Sequence, residues 1–227
     1  MKKFGLVIIF LLFSQAAFAA QNTGFYIGIS GGYVIPQTMT VTDHDYSYIK
    51  MDTKLENGGF VGVKSGWLTP FTRGIMAMEM EYNYIFGTNF DKDKIIYADT
   101  LDAEGYGTLD GNIGIHALMF NMKARYPEGI IHPYAGFGLG YAFFQLGDIT
   151  IKDTSGVVVD IVPGESGGGF CYQFLAGVDF DLAPNLSLGI GYKYFAALPT
   201  IGGEDRNLYA DLDYRASIIT AGLTFTF

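Results

Sequence analysis

From Gly24 onward the chain alternates between two kinds of text. Segments of about ten to fourteen residues alternate apolar with small or polar positions, and the segments between them are rich in Asp, Gly, Lys, Ser and Thr. The alternation predicts eight strands, over 24–35, 58–67, 75–86, a fourth ending at 126, then 133–144, 169–181, 186–195 and 214–227. The third is the clearest. Met76, Met78, Met80, Tyr82, Tyr84 and Phe86 share one face, and Ala77, Glu79, Glu81 and Asn83 share the other. A helix would mix these sets, whereas a period of two separates them. In the fourth, Leu118, Phe120, Met122 and Ala124 oppose Asn121, Lys123 and Arg125. Before Ala117 that parity blurs, which predicts a bulge or an extension above the membrane.

The connections sort into two classes. Those at 68–74, 127–131 and 182–185 are short, and those near 37–57, 87–107, 146–166 and 196–213 are each about twenty residues long. An even number of strands, with short turns at one end and long loops at the other, is the arrangement of a membrane barrel. A soluble sandwich has no reason to sort its connections this way. The expected fold is therefore all-β: an eight-stranded antiparallel up-and-down transmembrane β-barrel with short periplasmic turns and four long extracellular loops.

Composition narrows the picture. Charged residues are only 16% of the chain and aromatics 16%, which excludes a disordered polymer. Met1-Lys2-Lys3 followed by an apolar run over 4–13 is too short to span a bilayer and reads as an export signal. Ala17 and Ala19 frame a small-residue cleavage box, so residues 1–19 are expected to be a cleaved signal peptide and 20–227 the barrel domain. With Cys171 as its one cysteine, an exported chain has no internal disulfide. The four long loops hold 17 acidic and 6 basic residues, a net −11, while the wall and turns balance at six of each sign.

Candidate chemistry lies first on the inward faces, where Lys64, Glu79, Glu81, Lys123, Arg125, Asp179 and Lys193 fall together. Charges in a lumen just wide enough for side chains must pair or meet water, so these seven are expected to form an ionic network that fixes strand register. A narrow ion path is the alternative, and inward glycines such as Gly136, Gly138, Gly140, Gly189 and Gly191 leave room for either. Outward aromatics form two expected interfacial belts, Trp67, Tyr126, Phe180 and Phe227 at one end and Tyr33, Phe86, Phe143 and Tyr194 at the other. His44, His116 and His132 lie apart, with no metal-ligand spacing and no hydrolytic motif, so neither catalysis nor a cofactor is expected. The acidic pairs Asp43/Asp45 and Asp91/Asp93 read as solvated loop charge rather than a cation site. Nothing is basic enough for nucleic acid.

The segment 220–227 alternates without a break and ends on Phe227. Gly222, Leu223, Phe225 and Phe227 resemble the terminal signal by which the outer-membrane assembly machinery recognises barrel substrates. His132-Pro133-Tyr134-Ala135-Gly136-Phe137-Gly138-Leu139-Gly140-Tyr141 resembles the fifth strand of opacity-type surface proteins, and Gly24 to Tyr33 resembles their first. The resemblance covers nearly the whole of 20–227. It implies a small outer-membrane barrel like the OmpA membrane domain or OmpX, embedded among outer-membrane lipid and lipopolysaccharide. It implies a surface antigen, an adhesin whose loops bind a host-cell ligand, or a structural protein. A small porin-like channel is the alternative, and a barrel-embedded lipid A hydrolase a third reading. The chain stops at the eighth strand, so the peptidoglycan anchoring of full OmpA proteins is not implied.

Overall fold

The computed structural model describes residues 24–43, 50–90, 94–98, 104–153, 158–202 and 209–227. The expected cleavage residues Ala17 and Ala19, and the loop residues His44, Asp45, Asp91 and Asp93, lie outside them.

Among the described residues fourteen strands follow one another. They are β1 Gly24–Pro36, β2 Met39–Asp43, β3 Lys50–Thr53, β4 Gly58–Leu68, β5 Met76–Asn89, β6 Lys94–Ala98, β7 Glu104–Asp110, β8 Asn112–Arg125, β9 Ile131–Leu146, β10 Ile149–Asp153, β11 Val158–Val162, β12 Ser166–Ala183, β13 Leu186–Gly202 and β14 Tyr209–Thr226. Eight of them, in the order β1-β4-β5-β8-β9-β12-β13-β14, form an antiparallel up-and-down sheet. Pairing of β14 with β1, from Tyr26 opposite Thr226 to Pro36 opposite Ala216, closes that sheet into a barrel and leaves neither strand with an edge.

The outer wall is apolar and solvent-accessible in isolation: Phe25, Ile29, Leu118, Phe137, Ile190 and Ile219 all stand about half exposed or more. In water so continuous an apolar band would drive aggregation, whereas in lipid it is the expected surface. Phe25 stacks on Trp67, and Trp67 meets Phe71 edge-on, at the short-turn end. Near the other end Tyr84 lies between Phe86 and His116, and the Tyr82 hydroxyl meets His116 Nδ1 at 2.7 Å.

The turns at 69–75 and 126–130 and the two-residue turn at Pro184-Asn185 are tight. In the first, Arg73 and Gly74 both take positive φ, and Thr69 and Thr72 tie the reversal to Met76 through side-chain oxygens. The long connections are more ordered than the sequence reading allowed. β2 pairs with β14 and carries β3, while β6, β7, β10 and β11 form a separate four-stranded sheet in the order β11-β10-β7-β6. β12 and β14 each run 18 residues. At about 3.3 Å per residue and a tilt of about 40°, such a strand climbs about 45 Å, against a lipid-facing band of about 25 Å. The barrel wall therefore continues past the membrane as a collar.

Of the bulge and the extension expected before Ala117, the bulge is corrected, and β8 itself begins at Asn112. β8 keeps strict parity from Ile113 to Lys123, with no bulge before Ala117. The register shift lies on its partner β5, between Ile85 and Thr88, where Gly87 supplies the positive φ that the kink requires. Parity looked blurred in the sequence because the polarity of the two faces inverts there: Ile113, Ile115, Ala117 and Met119 point inward and are buried, while Asn112, Gly114 and His116 take the outward positions.

Candidate functional site: the barrel lumen

The lumen is stacked in three tiers. The middle tier is ionic. Glu79 and Glu81 sit two apart on β5, so both point inward, and they are 3% and 2% exposed. Glu79 accepts from the Lys123 ammonium at 2.6 Å, the Tyr26 hydroxyl at 2.9 Å and the Asn121 amide at 3.0 Å, and Lys64 stands 3.9 Å away. Glu81 accepts from the Lys193 ammonium and from the amides of Asn121 and Gln173, each at 3.0 Å. Gln173 also donates to Asn121 Oδ1 at 2.7 Å. Each carboxylate thus has its own cation, and the Asn121 amide bridges the two. That is what two buried like charges on one strand need in order to coexist.

Neighbouring glycines make the room. A Cβ at Gly138 would collide with the Asn121 amide, and one at Gly136 would come within 2.9 Å of Lys123 Cγ. The glycine positions of β9 are therefore filled by long side chains from β8.

The lower tier, at the short-turn end, holds the other two sequence-predicted residues. Arg125 and Asp179 point inward but make no direct hydrogen bond or ion pair with any of the other five. Two small cavities adjoin Asp179, of about 20 and 30 Å³, the first beside Arg125 with Leu68 and Ala77 in its lining and the second reaching up to Glu79, Glu81 and Lys193. At the rim, His132 is fully buried between two acceptors: Nε2 lies 2.8 Å from Asp181 Oδ2 and Nδ1 lies 2.8 Å from the Tyr126 carbonyl. Ser187 donates to the other Asp181 oxygen at 2.7 Å. Sequence reading missed this group, since its members lie 49 and 6 positions apart. The signal was the shared inward parity of His132, Asp181 and Ser187 at the ends of three consecutive predicted strands. The acid stands between serine and histidine, so the histidine does not reach the hydroxyl as a general base would. The group clamps β9, β12 and β13 together.

The upper tier is an apolar plug, which the sequence reading also missed. Phe60, Ile85, Ile115, Met119, Phe144, Phe195 and Tyr214 are fully buried. Tyr214 takes Phe144 and Phe195 edge-on at 5.7 and 6.2 Å, and Cys171 Sγ lies 3.2 Å from Met119 Sδ. The plug seals the lumen between the ionic tier and the collar. Among the described residues no cluster of His, Cys, Asp or Glu could hold a metal ion.

Comparison with known proteins agrees with this geometry. A family described as "Outer membrane protein beta-barrel domain" matches residues 5–227. No curated protein sequence matches. Among solved structures, the AlkL outer-membrane protein in DMPC bilayers is similar with a TM-score of 0.55 and 13% identity, covering 93% of this chain and 94% of that one. Neisserial surface protein A is similar with a TM-score of 0.51 and 13% identity over 90% of this chain and 97% of that one. The outer-membrane protease OmpT of Escherichia coli is similar with a TM-score of 0.50 and 10% identity over 90% and 97%. At these identities the likeness is one of fold.

Proposed function

Since the chain belongs to the family of outer-membrane β-barrel domains and so resides in the outer membrane, we propose that it is a surface protein that works through its long-loop end, with a barrel that anchors rather than conducts. The plugged lumen is the observation that supports this reading most directly. A wall sealed by Phe60, Phe144, Phe195 and Tyr214 offers no continuous aqueous path. What remains to contact other molecules is the collar and the hairpins it carries. In this reading the short turns face the periplasm and the long loops face outward. The net −11 on those loops repels heparin-like polyanions and favours a basic partner surface.

The likeness to a Neisserial surface protein accords with an antigen or adhesin role. The test is host-cell binding by harmless bacteria that display the protein. Intact cells should bind, and cells displaying a barrel with its four long connections trimmed to short turns should not. Equal binding by both, or by neither, would remove the adhesin role and leave a structural protein.

A porin-like channel is the second reading, supported by the charged lower tier. Planar-bilayer recording separates the two, since a plugged barrel gives no stable unitary openings. A hydrolase reading has the protease likeness behind it. The serine–aspartate–histidine order at the rim is the wrong one for it.

A further inference from the structure

The rim clamp holds a proton that its geometry requires. Tyr126 follows β8 and faces Pro133 on β9, and its amide donates to the Pro133 carbonyl at 2.9 Å. Antiparallel partners of this kind exchange two such bonds. Pro133 has no N–H, so it cannot return the second one to the Tyr126 carbonyl. The ring of His132, one residue earlier, supplies it, with Nδ1 2.8 Å from that oxygen. A carbonyl oxygen only accepts, so Nδ1 carries a hydrogen.

The Nδ1 hydrogen constrains the other side of the ring. Nε2 lies 2.8 Å from Asp181 Oδ2. A carboxylate, too, only accepts. A neutral ring would therefore aim the Nε2 lone pair at a carboxylate, at a distance that leaves no room for water, and His132 is fully buried. The contact becomes a bond when one further proton lies between Nε2 and Oδ2. Asp181 keeps solvent contact and accepts from Ser187 at 2.7 Å, as a carboxylate does, so that proton sits on the ring.

The surrounding charges can accommodate an imidazolium. On β12, Asp179 stands opposite His132 in the register of β9 with β12. From β8, Arg125 feels both Asp179 and Asp181 through space, and Asp179 also acts on Lys64 of β4. Tyr134 on β9 joins Arg125 and Asp179 around the lower cavity. In the turn, Glu128 accepts from the Tyr126 hydroxyl at 3.2 Å. β13 adds only the neutral Ser187 hydroxyl.

We propose that His132 and Asp181 form a proton-dependent latch on the short-turn rim, which ties the 126–131 turn to β12 and β13 while the pair holds its proton and releases it when the proton leaves. The closed rim holds one proton more than an open rim whose ring has become neutral in water. Closure is therefore complete at mildly acidic pH and is lost as pH rises. The Asp181 amide still donates to the Ile130 carbonyl at 3.0 Å, so release loosens the turn without unfolding the wall. The latch rests on barrel geometry and is independent of what the loops bind.

The experiment is nitrogen-15 NMR of histidine-labelled, refolded barrel in detergent, with amide-exchange protection measured alongside, from about pH 5 to about pH 9. His132→Gln assigns the His132 ring signals by their loss. In the wild type both His132 ring nitrogens should be protonated at the acid end, and protection over 126–131 should fall about tenfold as the second proton leaves. In Asp181→Asn the introduced amide can donate to Nε2 of a neutral ring, so protection of the turn should stay level across the titration. His116→Gln should keep the wild-type profile. Heat-dependent gel mobility reports that each variant is folded. A ring with a bare Nε2 at the acid end while the turn is protected, level turn protection in the wild type, or the wild-type pH dependence in folded Asp181→Asn would each overturn the latch. If Asp181→Asn does not fold, the ring state and turn protection of the wild type decide alone.

Discussion

The Lys123 ammonium meets Glu79 Oε2 at 2.6 Å inside the barrel wall, a diagonal contact between β8 and β5 whose direct register partners are Asn121 for Glu79 and Ala77 for Lys123. A one-residue slip of β8 would turn Lys123 toward lipid, so the pair holds the register as well as the charge.

Removing one partner should cost more than removing both. Glu79→Gln strands Lys123 and Lys64 together and is expected to destabilise the barrel by about 3–5 kcal/mol. Lys123→Met leaves Glu79 with Lys64 at 3.9 Å and should cost less. The double variant should lose less than the sum of the two, as read from urea midpoints in lipid vesicles. Additive losses would show that the two side chains are not energetically coupled.

Plug and outer wall should respond differently to the same truncation. Phe144→Ala empties space between Tyr214 and its neighbours and should cost about 3–5 kcal/mol. Phe137→Ala removes a ring from the lipid face, where acyl chains refill the gap, and should cost clearly less. Equal urea midpoints for the two variants would mean that the plug is loosely packed.

The rim clamp should govern local opening. Asp181→Ala removes the acceptor from both His132 and Ser187. Amide exchange over 126–133 and 181–187 should accelerate while the middle of β5 and β8 keeps its protection. Uniform exchange across the wall, or none in either region, would contradict a local role.

A closed barrel should resist SDS until boiled and so migrate differently before and after heating. The Phe227 amide donates to the Phe25 carbonyl at 2.8 Å, and its ring meets Phe225 edge-on at 5.3 Å. Deleting Phe227 should lower the heat-modifiable, membrane-inserted fraction, both by loosening this seam and by damaging the proposed assembly signal. Unchanged insertion would remove both roles.

Strand number, face assignment and closure were legible because period-two alternation survives wherever one face meets lipid and the other meets polar or small side chains. Glu79, Glu81, Asn121 and Lys123 announced the ionic tier for that reason. The plug was not legible, since there the apolar positions move to the inward face and the polarity of the alternation inverts, as Ile113, Ile115, Ala117 and Met119 show beside Gly114 and His116. Nor were β6, β7, β10 and β11, whose pairing joins two different long connections. Thr150 opposite Asp110 is a contact that no local pattern encodes. The clamp escaped because it depends on which strand ends meet at the rim.

The seam between β1 and β14 sets a condition on timing. Tyr26 finds its partner, Thr226, only after every other strand of the wall has been made. Contacts so distant in sequence form late and slowly. Until then β1 presents an unpaired row of amides and carbonyls, a template for any passing strand. A chain truncated anywhere in β13 or β14 cannot close, and its open edges would remain visible to proteases and chaperones. Closure of the wall thus waits on the making of β14, which makes the seam a built-in proofreading step for biogenesis.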